Sequence, residues 1–596
     1  MQILIPAAGM GKRLGFETEN KTKAMVVVAG KTLIERCLDA AVAHPISRII
    51  LIVGYQKTLL MNFLGDSYKG VDIIYVENND YATTNNIYSV YLAKDYLAED
   101  DTVLIESDLI FDPKILDMVI TNKMENLAVV DRYRSWMDGT VIKMNGDFSI
   151  SHFIPKSSFN FEEVNEYYKT VNIYKFSKSF LNNLYLPFLT AYAAALGDNE
   201  YYEQVLKVIV NLDTRQLHAL PLDNDNWYEI DDIQDLDNAN VLFAEPDKQY
   251  DLLSKRYGGY WRYDGFKDFC YLVNPFFPPK ALNDEIKFSL PKLMQSYPSS
   301  QNVQALLGAK LFGLSESCIV VGNGAAELID QVTENLEGKF GIYGPTFEEY
   351  TARFQRTDLQ VSDQDGFIYG KNDILSLAAT NDGVILINPD NPSGNFIPYE
   401  DIIEILETMK SEKKYLVIDE SFLDFAEKGF ESSVLNQTDL NKFPNLIVIK
   451  SIGKSYGVGG LRLGVLASSN VDLISSLKKS VPIWNINSVA EFYMQIIGKY
   501  RSEYRESCEQ LIRARSFLFQ GLSGIDYLQP YESQANYIFC KVVGKKSHQI
   551  ASDLCSKYSI LIKDCSGKNS INEQYIRVAV RDTYDNEYLV KSLESL

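Results

Sequence analysis

The sequence predicts two α/β units in series, each built on a mainly parallel sheet with helices on its faces. Three observations lead there. Short apolar strands alternate with helical segments from the first residue, with further strands at Ile49–Gly54 and Thr102–Ser107. The chain has 596 residues, several times the ~100–200 of an ordinary domain. Between Pro246 and Arg262 it gathers Pro, Asp, Lys and a Gly258-Gly259 pair, as linkers do, and a new series of motifs follows. The expected division is residues 1–245, a linker over 246–262, and residues 263–596. No internal repeat relates the halves.

Composition narrows the function classes. Hydrophobic residues are 46% and charged residues 23% of the chain, which suits packed cores and argues against long disordered stretches. Lys plus Arg is 58 against 79 Asp plus Glu, a net charge of −21, so no nucleic-acid partner is expected. Small anions remain possible where Lys, Arg and helix N-termini cluster. No apolar run reaches the ~18–20 residues that span a bilayer, and Met1 leads at once into a strand, so the expected location is cytoplasmic. Seven cysteines without a CxxC pair or zinc-like spacing read as reduced, mostly buried thiols.

In the first half, the strand Ile3-Leu4-Ile5-Pro6 runs into Ala7-Ala8-Gly9-Met10-Gly11 and then the basic pair Lys12-Arg13. Small residues let backbone N–H groups approach a nucleotide closely, and the basic pair supplies charge for a triphosphate or a departing pyrophosphate. The loop is neither a Walker A loop nor a GxGxxG fingerprint, and alone it would read as a tight structural turn. Lys23 follows ten residues after Arg13, and Asp108 and Asp231 end two later strands. In open parallel sheets the ligand crevice lies at the carboxyl ends of the strands, so two such carboxylates can meet at one hard cation, Mg2+. From Asn145 to Asp225 the strand–helix rhythm weakens, which reads as an insertion shaping a substrate pocket.

These residues carry a resemblance. Residues 1–240 resemble the sugar-nucleotide-type nucleotidylyltransferases, and most of all the bacterial phosphocholine cytidylyltransferases, in AAGMGKRLG, KTKAMV, Val53–Tyr55, YATTNNIYSVYLA from Tyr81 and YEIDDIQDL from Tyr228. The resemblance implies a Rossmann-like nucleotidyltransferase domain that takes CTP. It implies that Asp108 and Asp231 hold magnesium, that Lys23 contacts the α-phosphate and the incoming oxyanion, and that Arg13 with Lys12 neutralises pyrophosphate. Ala7, Ala8, Gly9, Met10 and Gly11, with Asn78, Tyr81, Asn85 and Asn86, would line the nucleotide pocket. The acceptor would carry an anionic head and a cationic tail, the tail lying near Trp136, Asp138, Tyr168 and Glu203. Thr22 stands where the family pattern has a proline before the lysine.

In the second half, order matters more than any single motif. Tyr343-Gly344-Pro345-Thr346-Phe347 displays an aromatic on a turn, and Asn388-Pro389-Asp390-Asn391-Pro392 breaks a strand into a loop. Leu416-Val417-Ile418-Asp419 is a buried strand ending in an acid, and Ser451-Ile452-Gly453-Lys454 is a polar turn with Arg462 eight residues beyond. The series resembles fold-type I pyridoxal 5'-phosphate (PLP) enzymes, nearest the histidinol-phosphate aminotransferases and threonine-phosphate decarboxylases.

That resemblance implies an aminotransferase fold of a large and a smaller α/β domain. Lys454 would carry PLP as a Schiff base and shuttle a proton. Asp419 would pair with the pyridinium nitrogen, Asn391 with the ring oxygen, and Phe347 would stack on the ring. Gly324, Ala325 and Ala326, with Ser451 and Arg462, would bind the cofactor phosphate. Tyr297 would reach the phosphate of a neighbouring subunit, which implies a homodimer, and Arg577 would bind the carboxylate of an amino-acid donor. Phe422 departs from a tyrosine common in the family, and Gly453 from a serine or threonine.

An amine-forming unit beside one that activates a phosphorus oxyanion implies a short zwitterion common to both. The whole chain resembles a 2-aminoethylphosphonate cytidylyltransferase fused to an aminotransferase that makes 2-aminoethylphosphonate from phosphonoacetaldehyde. Two alternatives stand beside it: a phosphocholine or phosphoethanolamine cytidylyltransferase fused to a phosphoserine- or threonine-phosphate-type decarboxylase, and a cytidylyltransferase with a non-catalytic dimerisation module.

Overall fold

A computed structural model of the chain describes every residue except 213, 214, 224, 355, 363 and 569–572. The chain divides into two units, Met1–Gly265 and Phe266–Leu596. Residues 246–262, expected as a linker, belong to the first unit. They form the helix Pro246–Ser254 and a short turn of helix at Tyr260–Arg262, and they bury Tyr250, Leu253 and Tyr260. The Pro and Gly that read as linker signals instead open a helix at its first position and turn the chain beyond it.

Four parallel strands make the centre of the first sheet, in the spatial order Val71–Glu77, Ile49–Val53, Gln2–Ala7, Thr102–Ile105. Gln2–Ala7, Ile49–Val53 and Thr102–Ile105 are buried at every residue, as strands covered on both faces must be. The order reverses at Gln2–Ala7, where successive connections leave to opposite sides, and the crevice that opens there lies at the carboxyl ends of Gln2–Ala7 and Thr102–Ile105. The region from Asn145 to Asp225 differs from the insertion expected of it. Its strand Tyr168–Phe176 pairs antiparallel with Thr102–Ile105 and with Leu127–Arg132, so it extends the main sheet. Alternation is disrupted by a register shift between Thr170 and Tyr174, where Asn172 has φ +61°, and this hides the strand in the sequence.

The second unit has a seven-stranded sheet in the order Ile319–Asn323, Leu463–Ala467, Leu446–Ser451, Tyr415–Asp419, Gly383–Ile387, Phe340–Gly344, Thr357–Val361. Leu463–Ala467 alone runs antiparallel to its neighbours. A smaller antiparallel sheet of Leu528–Pro530, Tyr537–Val542, Tyr575–Ala579 and Lys563–Asp564 completes it.

Close backbone approach fixes the nucleotide-side loop. Tyr55 N donates to Ala8 O at 3.1 Å, and a Cβ on the intervening turn residue Gly54 would lie 2.9 Å from Ala8 O and from Tyr81 Cβ. Neither backbone nor a tyrosine Cβ can yield cheaply. Gly54→Ala is therefore expected to destabilise the first unit by about 1–3 kcal/mol, read as a lowered midpoint in thermal or urea unfolding; an unchanged midpoint would contradict the packing described.

Candidate active sites

In the first unit a cavity of about 330 Å³ opens at the strand-order reversal, lined by Ala8, Gly9, Gly11, Lys12, Arg13 and Lys23 on one side. Asn78, Tyr81, Thr84, Asn85, Asn86 and Ser89 line another, and Glu106, Ser107, Asp108 and Asp231 the floor. Asn78 donates to Thr84 Oγ1 at 3.2 Å and Ser89 Oγ at 3.1 Å, and Asn85 caps the helix Asn86–Leu92. Ala7 is buried at the strand end, and Met10 is not among the lining residues. Gly11 sits at φ +59°, where a Cβ would press on Thr18 and on the Lys23 side chain at 3.1–3.3 Å. Thr22 has φ −71°, the angle a proline would impose, so the backbone that presents Lys23 keeps the proline-like path.

Asp108 follows Thr102–Ile105 directly, whereas Asp231 arrives off the main sheet. Its strand Trp227–Glu229 pairs antiparallel with Leu109–Phe111, and Ile230 N donates to Asp108 O at 2.9 Å. Lys23 Nζ lies 2.6 Å from Asp108 Oδ2 and 2.8 Å from Asp231 Oδ1, and Arg13 Nη2 is 2.8 Å from the same Asp231 oxygen. Burial alone would depress the Lys23 ammonium, but the two aspartates hold it above its ordinary pKa. Burial likewise opposes ionisation of Asp231, and Lys23 and Arg13 outweigh it to keep that carboxyl below its usual range.

Asp108, Glu229 and Asp231 each offer a carboxylate oxygen within 4.8 Å of the others. Asp108 Oδ1 is buried without a hydrogen-bond partner among the described residues. A divalent cation fits such a set of hard oxygens. Sequence reasoning missed Glu229, which ends the strand Trp227–Glu229 two residues before Asp231. Lys169, almost fully buried, sits 3.4 Å from Glu229 Oε2, and Asn172 Nδ2 donates to Glu229 Oε1 at 3.3 Å. Burial lifts Glu229 to about 7 against the pull of Lys169.

Glu106 is the second omission. Burial first, then Asp108, Glu203 and Glu229, push its pKa well up. Its Oε1 accepts from Asn86 Nδ2 at 3.2 Å. Glu203 accepts from Tyr174, Thr170 and Thr140, the last at 2.8 Å. Of the other residues expected near the acceptor, Trp136 stacks on Tyr228 with ring centres 4.2 Å apart, Asp138 is exposed beside Lys156, and Tyr168 lies under the Arg132 guanidinium.

In the second unit Asp419 ends its strand, accepting from Tyr350 OH and from Ser421 N, each at 2.9 Å. Lys454 begins at the end of Leu446–Ser451, and its Nζ lies 5.0 Å from the centre of the Phe347 ring and 4.3 Å from that of Phe422. Burial depresses its amine to about 8; Asp419 resists, and Arg577 and Arg462 add to the depression. Arg577 donates to Asn391 Oδ1 and to Cys270 O, both at 2.6 Å, while its buried Nε has no partner among the described residues.

Gly324 opens the helix Gly324–Asn335 at φ +78°, and a Cβ there would stand 2.7 Å from Arg462 Nη2, so the helix start and the guanidinium share a cradle fit for a phosphate. Ala325 follows against Gly464, whose Cβ would meet Ala325 N at 2.6 Å, with Ala326 next in the same first turn. Ser451 is buried, with its N–H on Ser421 Oγ. A depressed lysine amine facing an aspartate between two aromatic rings, with this cradle nearby, fits PLP. Tyr350, which sequence reasoning passed over, holds Asp419 from the helix Glu348–Arg353. Tyr297 is 79% exposed and stacks on Trp484 with ring centres 4.5 Å apart.

Comparison with known proteins places these features. Residues 275–593 match the model of the aminotransferase class I and II family, and residues 3–142 that of the MobA-like NTP transferase domain. A CMP-5'-(3-aminopropyl)phosphonate synthase of Streptomyces rubellomurinus is 28% identical over all of this chain and 95% of its own. An L-serine phosphate decarboxylase of Campylobacter jejuni is 31% identical over 55% of this chain and 87% of its own. The histidinol-phosphate aminotransferase structure from Clostridium acetobutylicum matches 55% of this chain and 98% of its own, with 24% identity and a TM-score of 0.51, and supports the fold. The chain therefore belongs to the aminotransferase class I and II family, with a nucleotidyltransferase domain of the MobA-like type preceding that domain on one polypeptide.

Proposed function

We propose that the chain makes a short aminophosphonate and activates it: the second unit aminates phosphonoacetaldehyde to 2-aminoethylphosphonate, and the first couples that product with CTP to give CMP-2-aminoethylphosphonate and pyrophosphate. The observation that carries the reading is Glu106, which lines the nucleotide cavity with the Asn86 amide as its hydrogen-bond donor and no ion pair among the described residues, while Lys23 acts on it from a distance. An acceptor bearing an ammonium group supplies the missing positive charge. The full-length similarity to a synthase of a CMP-aminoalkylphosphonate supports the same class of acceptor.

In this reading no protein nucleophile is needed. A phosphonate oxygen attacks the α-phosphorus in line, the bond from that phosphorus to the α,β-bridging oxygen breaks, and pyrophosphate leaves with the electron pair. Lys23 steadies the α-phosphate, and Arg13 and Lys12 meet the charge on the leaving group. Magnesium held by Asp108 and Asp231 would supply further charge neutralisation at the phosphates. Glu106 and Asn86 orient the amine end.

In the second unit PLP, when bound, supplies an electron sink. Asp419, which accepts from Tyr350 and Ser421, would hold a proton on the ring nitrogen. Lys454 Nζ takes the proton from the donor's nitrogen-bearing carbon in the first half-reaction and delivers one to the aldehyde-derived carbon in the second, a task suited to an amine brought near neutrality. Arg577, fixed on Asn391 and Cys270, presents its remaining donors to an anionic substrate group. The exposed band of Phe288, Met294, Tyr297, Ile483 and Trp484 supports a homodimer through this unit. The similarity to L-serine phosphate decarboxylases favours one second reading, in which this unit makes phosphoethanolamine by decarboxylation.

Three outcomes test the proposal. With CTP and 2-aminoethylphosphonate, phosphocholine or phosphoethanolamine offered in competition, pyrophosphate release should follow 2-aminoethylphosphonate. Keto acid, rather than carbon dioxide, should appear when an amino-acid donor is supplied with phosphonoacetaldehyde; gas from phosphoserine instead would establish the second reading. Asp108→Ala or Asp231→Ala should abolish pyrophosphate release while leaving amine formation intact, Lys454→Ala should do the reverse, and Glu106→Gln should raise the KM for the acceptor about tenfold, the worth of one charge-assisted bond.

The pH dependence follows from Lys454. Its amine is free above about 8 rather than above the ordinary lysine value. Binding of PLP to cofactor-stripped protein should therefore accelerate with pH through a midpoint near 8. Because Asp419 raises that value, Asp419→Asn should move the midpoint down. A midpoint near 10 in the unaltered protein would contradict the burial described for the amine.

A further inference from the structure

The three carboxylates of the first site are each met by a side-chain cation. Lys23 bridges Asp108 and Asp231, Arg13 joins it on Asp231 Oδ1, and Lys169 lies 3.4 Å from Glu229. Three negative groups thus face three positive ones. Lys23 is the central member: its side chain is 14% exposed and its ammonium meets one oxygen of each aspartate at 2.6 and 2.8 Å. A divalent ion on the same carboxylates would stand within a few ångströms of that ammonium, where unlike solvent it cannot be screened away.

We propose that Lys23 is a resident counter-ion that excludes the divalent cation until a nucleotide phosphate draws the lysine off, so that metal and nucleotide bind as a coupled pair. The proposal rests on the metal reading of Asp108 and Asp231. The α-phosphate competes for Lys23 with the carboxylates it neutralises. Once the ammonium turns to phosphate, Asp108 and Asp231 are left with an unbalanced charge that the incoming ion restores. The coupling is reciprocal by linkage: what the nucleotide does for the metal, the metal does for the nucleotide. Geometry supports a short movement, since Lys23 lies on a three-residue turn of helix and lines the same cavity as Ala8, Gly9 and Gly11.

The test is Mn2+ binding followed by electron paramagnetic resonance, independent of turnover. Lys23→Met without nucleotide should bind one Mn2+ at least tenfold more tightly than the unaltered protein, Lys23→Arg should bind no more tightly than it, and adding Asp108→Asn to Lys23→Met should remove the ion. The unaltered protein should gain at least tenfold in Mn2+ affinity on saturation with CMP, a nucleotide whose single phosphate chelates Mn2+ weakly in solution. A correctly folded Lys23→Met, judged by circular dichroism and melting, that binds no more tightly overturns the proposal. Should that variant not fold, an Mn2+ affinity in the unaltered protein indifferent to CMP overturns it equally. Where Mn2+ binds in an Asp108-dependent way but without either effect, the metal reading survives and only the counter-ion falls. Where no Asp108-dependent Mn2+ is found in any arm, the metal reading falls and takes the counter-ion with it.

Discussion

A charge removed from water must find a partner close by, and the first site is arranged around that constraint. Asp108 and Asp231 come from segments 123 residues apart in sequence, and Lys23 from a third, yet they meet within hydrogen-bond distance because each would be intolerable alone. The sheet order makes the meeting possible. The loop after Gln2–Ala7 and the turn after Thr102–Ile105 emerge side by side at the point where the strand order reverses, and the pairing of Trp227–Glu229 with Leu109–Phe111 brings Asp231 in from the edge. Glu106 is left without an ion pair among the described residues, and in the proposed reading it is that residue which favours a positively charged guest.

The second site solves the opposite problem. Lys454 faces a single aspartate with Arg462, Arg577 and Lys568 acting on it, so cations outnumber anions and the lysine can relieve the imbalance by giving up its proton. The same amino acid is thus held charged in one unit and pressed towards neutrality in the other. In the proposed reading Lys23 serves as a fixed positive charge and Lys454 as a base, and the difference lies in the count of carboxylates around each rather than in burial, since both side chains are partly buried.

Much of this was legible because the residues concerned lie in short contiguous motifs. The loop from Ala7 to Arg13, Lys23, the strand-end acids Asp108 and Asp231, and the series Phe347, Asn391, Asp419, Lys454 and Arg462 are set by local backbone shape, which sequence spacing records. Glu106 and Glu229 were within reach of the same reasoning, each two residues before a named aspartate at a strand end. Lys169 and Asn172 were not. They sit where Tyr168–Phe176 shifts register, and the left-handed conformation of Asn172 breaks the alternation that would have marked the strand. Tyr350 was hidden for another reason: its hydroxyl meets Asp419 across 69 positions, a contact that only packing of the helix on the sheet creates. The supposed linker misled because Pro246 and the Gly258-Gly259 pair punctuate a helix as readily as they mark a boundary.

The electrostatics of the two units also bear on why one chain carries both. Glu106 asks for a cation within reach of a site otherwise devoted to phosphate, and few small metabolites carry an ammonium group and a phosphorus oxyanion a few bonds apart. A lysine-based amine chemistry with an arginine aimed at an anion is one of the few ways to produce such a compound from a carbonyl precursor. In the proposed reading, supply of the zwitterion by one unit and its consumption by the other answer these complementary demands. It also explains the second reading, since a decarboxylase of a phosphorylated amino acid would leave the same pair of charges at nearly the same spacing. The reactions differ only in which bond at the nitrogen-bearing carbon the Lys454 site breaks.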